Sequence, residues 1–199
     1  SKLAELMQKA AKIDGVDWLR VLYCYPEETS EQLLDIIANT PNICSYVDLP
    51  IQHVNDAVLK RMHRRGTSAD IRRAVKGAHE RGITLRTSII VGFPGETEEQ
   101  FQDTLSLVRE VGYDSAFTFI YSPRTGTGAA KMPNQVPEDV SSRRIQELLK
   151  VQEECQKKAL KRFIGTEEEV LVEGLSRRSD TGCPSRSPAR KATWAKSSA

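Results

Sequence analysis

Four stretches of the chain are apolar in the manner of buried strands: "WLRVLYCY" from Trp18, "YVDLPIQ" from Tyr46, "ITLRTSIIVGF" from Ile83 and "SAFTFIYS" from Ser115. Each is rich in β-branched or aromatic residues and contains no lysine, which predicts strands. Between them the apolar positions recur at helical spacing. Thr29 and Gln32 fit a capping box, and Pro41 ends the helix that follows. A second helix is predicted from about Ser68 to Gly82. A third begins with Thr97 and Gln100 as a capping box, places Phe101, Leu105 and Val108 on one face, and meets Gly112 where a left-handed C-cap belongs. Strand starts recur roughly every 30 residues with a helix in each gap, the rhythm of βα units, so the expected fold class is α/β with a parallel sheet or barrel.

After Pro137 a long amphipathic helix carries Ile145, Leu148, Leu149 and Gln152 at helical spacing, with Gly165 just beyond its end. It closes a first domain, residues 1–164. "EEEVLVEGLS" then reads as the first strand of a second module, 165–178, but nothing after Gly174 alternates like a partner strand, and a strand alone is not stable. Residues 179–199 are Ser-, Arg- and Pro-rich and are expected to be disordered or foreign to that module.

Charge and cysteines change this picture little. The chain has 199 residues, 39% hydrophobic and 28% charged, the balance of an ordinary globular domain with part of another. Its net charge of +2 comes from the tail: residues 176–199 hold six basic residues and one acidic, leaving −3 for the rest. No apolar stretch approaches the ~20 residues of a membrane span, and residues 1–10 lack the features of a signal peptide. A cytoplasmic protein with no membrane partner is therefore expected. Cys24, Cys44, Cys155 and Cys183 are widely spaced, with no CxxC pair and no histidine positioned beside them, so no metal ligands are assigned within the chain.

In both barrels and open α/β sheets ligands bind at the C-terminal ends of the strands. Those ends read "CYPEE", "LPIQHVND", "VGFPGET" and "YSPRTGT". At the third, Gly92 would let a flat ligand approach the backbone, Pro94 and Gly95 turn the chain, and Glu96 either accepts hydrogen bonds from a ligand or complements the dipole of the next helix. Gln52, His53 and Asn55 form an uncharged donor and acceptor cluster suited to a ribose or an amino-acid head group, or a set of structural hydrogen bonds. Arg86, inside a strand, needs a carboxylate opposite it. Arg124 is either a substrate contact or a solvated loop residue. "LKRMHRRGT" could lie on an RNA backbone, although a solvated helix end accounts for it as well.

These corners resemble the radical S-adenosylmethionine methylthiotransferases, over about Trp18 to Arg178, through the phrases "IVGFPGETEEQF", "YSPRTGT" and "QVPEDV". The resemblance implies the C-terminal part of a TIM-like radical SAM barrel followed by an incomplete β segment of the TRAM type. It also implies S-adenosyl-L-methionine and two 4Fe-4S clusters as cofactors, with a sulfur donor and an electron donor as partners. By resemblance Gly92, Phe93, Pro94, Gly95 and Glu96 line the adenosyl pocket with Gln52, His53, Asn55 and Arg86, while Tyr121 and Arg124 meet substrate. No CxxxCxxC loop is present, so the cluster ligands are expected upstream of Ser1 and the chain alone is expected to be inactive. The substrate signature is mixed. "VLYCYPEE" and "YVDLPIQHVNDAVLKRMHRRGT" are similar to the branch that modifies an aspartate of a small-subunit ribosomal protein (RimO type), whereas "YDSAFTFIYSPRTGTGAAKM", "QVPEDV" and "VLVEGLSRRSD" are similar to the branch acting on isopentenylated adenosine beside the tRNA anticodon (MiaB type). The longer match favours tRNA as substrate. Two other classes stay in view: an aldolase barrel with a Schiff-base lysine, disfavoured because the strands hold no lysine, and a non-catalytic RNA-binding module.

Overall fold

A computed structural model describes residues 2–172 and 190–195, with side chains through residue 167. The chain divides into two compact units, Ser1–Ala159 and Leu160–Ala199.

The first unit holds helix α1 (Lys2–Ala10), helix α2 (Glu31–Asn39), strand β1 (Tyr46–Asp48), helices α3 (Asp56–Arg61) and α4 (Ser68–Glu80), strand β2 (Thr84–Val91), helix α5 (Glu98–Val111), strand β3 (Ser115–Ile120) and helix α6 (Glu138–Leu160). The strands form one parallel sheet in the order β1-β2-β3. On β2, Leu85, Thr87, Ile89 and Val91 are buried, and the three apolar ones join one core with Leu33, Leu34, Ile71, Phe101, Leu105 and Leu148 from the helices. Phe101 and Leu105 are fully enclosed, a burial that stabilises by about 1.5–3 kcal/mol for each side chain. Residues in register across a parallel sheet share a face. Asp48, Arg86, Ser88, Ile90, Phe117 and Phe119 therefore lie on the opposite face, toward the strand-end clefts.

The caps of α5 follow the sequence pattern. Thr97 accepts from Gln100 N, the Gln100 side chain accepts from Thr97 N, and Gly112 ends the helix at φ 63°. At α2 the cap is one residue later than expected: the Ser30 hydroxyl accepts from Leu33 N at 3.2 Å, while Thr29 donates to the Tyr25 carbonyl at 2.9 Å. In α6, Gln152 is buried and donates to the Tyr113 carbonyl at 3.0 Å, but Leu149 is exposed. Leu149 sits one residue off the face that Leu148 and Gln152 define.

Two of the four predicted strands differ from expectation. Among the described residues, the strand-like pairing of Trp18–Tyr25 is limited to the parallel bridge Leu19↔Ile43 and a bond from Cys24 N to the Asp48 carbonyl. Tyr23 at φ 58° breaks the extended path, and the buried residues Val21 and Cys24 stand three apart, out of step with the two-residue period of a strand. β3 forms as predicted but is not buried: Phe117, Phe119 and Ile120 are 47%, 52% and 41% exposed. It is a sheet edge among the described residues.

The second unit contains strands β4 (Glu167–Val172) and β5 (Arg190–Ala195), antiparallel with Glu167 opposite Ala195 and Val172 opposite Arg190. β5 lies in the tail where sequence alternation gave no strand. Residues 173–189 and 196–199, which include Cys183 and most of the expected tail, are outside the described residues.

Candidate functional site

The strand ends open onto two clefts that share Gln52, Arg64 and Phe119. One, of about 510 Å³, lies on the inner face of the sheet between Tyr23, Tyr25, Ser88 and Phe117. The other, of about 790 Å³, lies beyond the ends of β2 and β3 and is bordered by Arg61, His63, Phe93, Tyr121 and Arg124. Both volumes fall within the roughly 300–1,000 Å³ range of small-molecule sites. Gln52 is positioned by backbone: its N–H donates to the Ser88 carbonyl at 2.8 Å, its carbonyl accepts from Ile90 N at 2.9 Å, and its φ of 63° turns the chain out of strand geometry.

Apart from Phe93, the "GFPGET" corner turns away from the clefts, with Glu96 pointing into the protein. His53 and Glu96 side chains are fully buried and meet at 3.1 Å between Nε2 and Oε1. His53 Nδ1 accepts the Asn55 N–H at 2.9 Å, which leaves the ring proton on Nε2, where Glu96 and Thr104 Oγ1 at 3.3 Å lie. The second Glu96 oxygen accepts the Gly92 N–H at 2.6 Å and Arg144 Nη1 at 2.8 Å. Arg144 also donates to the Glu96 carbonyl at 3.2 Å and pairs with Glu98 at 3.3 Å. Charge-assisted bonds of this kind tie α6, the β2–α5 turn and the segment after β1 into one buried assembly.

Of the residues singled out from sequence, the structure brings Gln52, Phe93, Tyr121 and Arg124 to the clefts. It keeps His53 and Glu96 beneath them, fully partnered. Gly92 has no room for a side chain, but the obstacle is protein: a Cβ would stand 2.4 Å from Ser141 Oγ. Gly95 donates to the Asn134 carbonyl at 2.8 Å and accepts from Arg61 at 3.1 Å, so with Pro94 it shapes the turn. Asn55 caps α3 and donates to Asp103 at 3.0 Å, away from the shared cleft edge. Arg86 finds the carboxylate it requires in Asp48 at 3.4 Å and lies over the Phe117 ring at 4.0 Å from its centroid. Burial pushes the Asp48 carboxyl above its ordinary range, against the opposing pull of Arg86 and Arg20.

Sequence reasoning missed Arg144, Ser141, Thr104 and Arg61. Arg144 had a readable signal, since it occupies the buried face of α6 beside Ile145 and Leu148, where a guanidinium requires a buried acid. Burial also pushes the Cys24 thiol up to about 11, consistent with an inert core cysteine. Among the described residues no group of three or more His, Cys, Asp or Glu could hold a metal ion, and no helix is long and apolar enough to cross a membrane.

Comparison with known proteins supplies an independent view. The family model of the radical SAM superfamily matches residues 1–108. The ribosomal protein uS12 methylthiotransferase RimO of Geobacter sulfurreducens is 48% identical over 176 residues, 87% of this chain and 39% of that protein. The protein of the same name from Geotalea uraniireducens is 43% identical over 178 residues, 88% of this chain and 40% of that one. The chain thus spans about two fifths of the length of the curated relatives it matches. Among solved structures, coproporphyrinogen III oxidase from Escherichia coli, described as a radical SAM enzyme, aligns with TM-score 0.56 at 20% identity, covering 83% of this chain and 38% of that one. The archaeal Elp3 of Methanocaldococcus infernus aligns with TM-score 0.51 at 16% identity, covering 66% and 32%. At such identities these structures speak for the fold, a partial TIM-like barrel.

Proposed function

The chain belongs to the radical SAM superfamily, within its methylthiotransferases, and from that premise we propose that the whole protein adds a methylthio group to ribosomal protein uS12. The observation that carries this reading is the extent of the match to relatives named uS12 methylthiotransferase. At 87% of the chain the match is too long to be confined to the half whose resemblance had favoured the ribosomal protein. The ribosomal-protein reading accordingly replaces tRNA as the preferred one, with an aspartate side chain as the expected acceptor and the cytoplasm as the site of action.

S-adenosylmethionine is the family's radical source, and the inner cleft fits it: Phe117 and Phe119 offer ring faces to a base, while Gln52 and Ser88 offer hydrogen-bonding groups. The iron-sulfur clusters the family uses find no ligand set among the described residues. In this reading the chain's own residues perform three tasks. Gln52 and Ser88 orient the cofactor from one side of the sheet. Phe93 and Phe119 exclude water from the wall of the larger cleft. The buried His53, Glu96 and Arg144 assembly holds the strand ends at fixed spacing, so that cofactor and acceptor approach in one geometry. The direct test is mass spectrometry of a strain lacking the full-length gene. Loss of the methylthio mark from uS12 with tRNA nucleosides unchanged is expected; loss from tRNA nucleosides with uS12 unchanged would reverse the assignment.

A further inference from the structure

Among the described residues, the charged side chains that line the larger cleft are all basic. Arg61, His63, Arg64 and Arg124 border it and no carboxylate among the described residues does, although residues 1–159 as a whole carry net −1. The arginines differ in how far they are committed. Arg61 donates to the Gly95 carbonyl and Gln100, and Arg64 donates to the Pro50 carbonyl while facing the Tyr25 ring at 5.0 Å. Both are held by neutral groups, so neither loses its positive charge to an ion pair. The solvent-exposed Arg124 side chain has no hydrogen bond or ion pair among the described residues, and among the same residues the buried Tyr121 hydroxyl has no hydrogen-bond partner. Phe93 meets the Tyr121 ring edge-on, with centroids 5.1 Å apart, and so fixes its orientation.

A buried donor without an acceptor costs about 1–3 kcal/mol, a cost that a ligand bearing an acceptor removes. We propose that this cleft receives the carboxylate of the acceptor side chain of the protein substrate, with Arg124 and Tyr121 as its donors and Arg61 and Arg64 as fixed positive charge. The proposal rests on the uS12 reading and adds the residues that select an acidic side chain. A carboxylate suits the cleft better than a nucleic-acid backbone, because much of the remaining wall is apolar, Met62, Ile90 and Met132 included, and offers no track of cations for successive phosphates. Capture there also brings the acceptor to the edge formed by Gln52, Arg64 and Phe119, which both clefts share. Arg124 and Tyr121 thereby become specificity-determining residues, since an apolar analogue leaves the same donors unpaired and an amide analogue offers them one neutral acceptor oxygen in place of two charged ones.

S-adenosylmethionine carries a carboxylate of its own, so the test must separate the two sources. It uses the full-length, cluster-reconstituted enzyme with purified uS12, comparing wild type, Arg124→Gln, Arg124→Lys and Tyr121→Phe. KM for uS12 is followed with kcat, and S-adenosylmethionine affinity is measured by equilibrium dialysis. Loss of a charge-assisted hydrogen bond predicts that Arg124→Gln raises KM for uS12 roughly ten- to hundredfold, with cofactor affinity unchanged. Arg124→Lys should recover part of the loss, and Tyr121→Phe should raise KM by a smaller factor. An unchanged KM in Arg124→Gln overturns the cleft assignment while leaving the uS12 reading intact. Cofactor affinity that falls in step with KM overturns it in favour of the cofactor's carboxylate. Wild-type enzyme that modifies tRNA and leaves uS12 untouched overturns the uS12 reading and this proposal with it.

Discussion

Replacing Gly92 with alanine tests the claim that the "GFPGET" corner is shaped by helix packing. Two costs are expected. The residue sits at φ 75°, and a side chain in the left-handed region costs roughly 1–2 kcal/mol. The new Cβ would also stand 2.4 Å from Ser141 Oγ and 3.1 Å from Ser141 Cβ, so either α6 or the turn must move, and overpacking of this kind costs typically about 1–3 kcal/mol. The sum is about 2–5 kcal/mol. Gly112→Ala provides the internal reference, because Gly112 has φ 63° with nothing within 4 Å of an added Cβ and so carries only the conformational cost. Gain of rigidity in the unfolded chain applies equally to both and cancels in the difference. Urea unfolding followed by circular dichroism should therefore rank Gly92→Ala below Gly112→Ala by about 1–3 kcal/mol. Adding Ser141→Gly, which leaves the nearest Ser141 atom at 3.9 Å, should recover most of that excess, less about 0.5 kcal/mol of helix propensity. If the two alanine variants are equally stable, or if Ser141→Gly recovers nothing, the space beside Gly92 is not set by α6 and the argument fails.

Two further outcomes follow from the buried assembly and its rim. Arg144→Met leaves the Glu96 carboxylate buried without its cation, so it should destabilise by about 3–5 kcal/mol in the same unfolding assay. The double variant Arg144→Met with Glu96→Gln should be more stable than Arg144→Met alone, and additive losses in that cycle would show that the two do not interact. Glu98 is held down to about 2 by the Arg143 guanidinium beside it, with help from Gln102 and Arg144. A depressed carboxylate contributes stability that is fully present above its unfolded value near 4.5 and is lost as pH falls toward 2. Wild type should thus lose more stability than Glu98→Gln between pH 4.5 and 2, and parallel pH curves would remove Glu98 from the account.

Much of the fold was legible because its signals are local. The Thr97 and Gln100 capping box, the Gly112 C-cap and the Phe101, Leu105, Val108 stripe each involve residues within a few positions of one another, and the structure repeats them in detail. Where local signals misled, a long-range condition had intervened. "WLRVLYCY" has the composition of a strand, but strand formation depends on a continuous partner, and Tyr23 leaves the extended region before one is made. "SAFTFIYS" has the composition of a buried strand, yet burial depends on what covers an edge.

The sequence by itself determined the βα rhythm, the helix ends and the Pro- and Gly-rich corners at the strand termini, since periodicity and capping are properties of short segments. Only the tertiary structure decided which way those termini face. The contact between Arg144 and Glu96 closes over 48 residues and the one between His53 and Glu96 over 43. No spacing rule connects residues so far apart, because the partner of a buried charge is set by how the helices pack and not by the segment that carries it. The same packing turned Glu96 inward to hold the corner, and left Gln52, Phe93, Tyr121 and Arg124 to meet whatever enters the clefts.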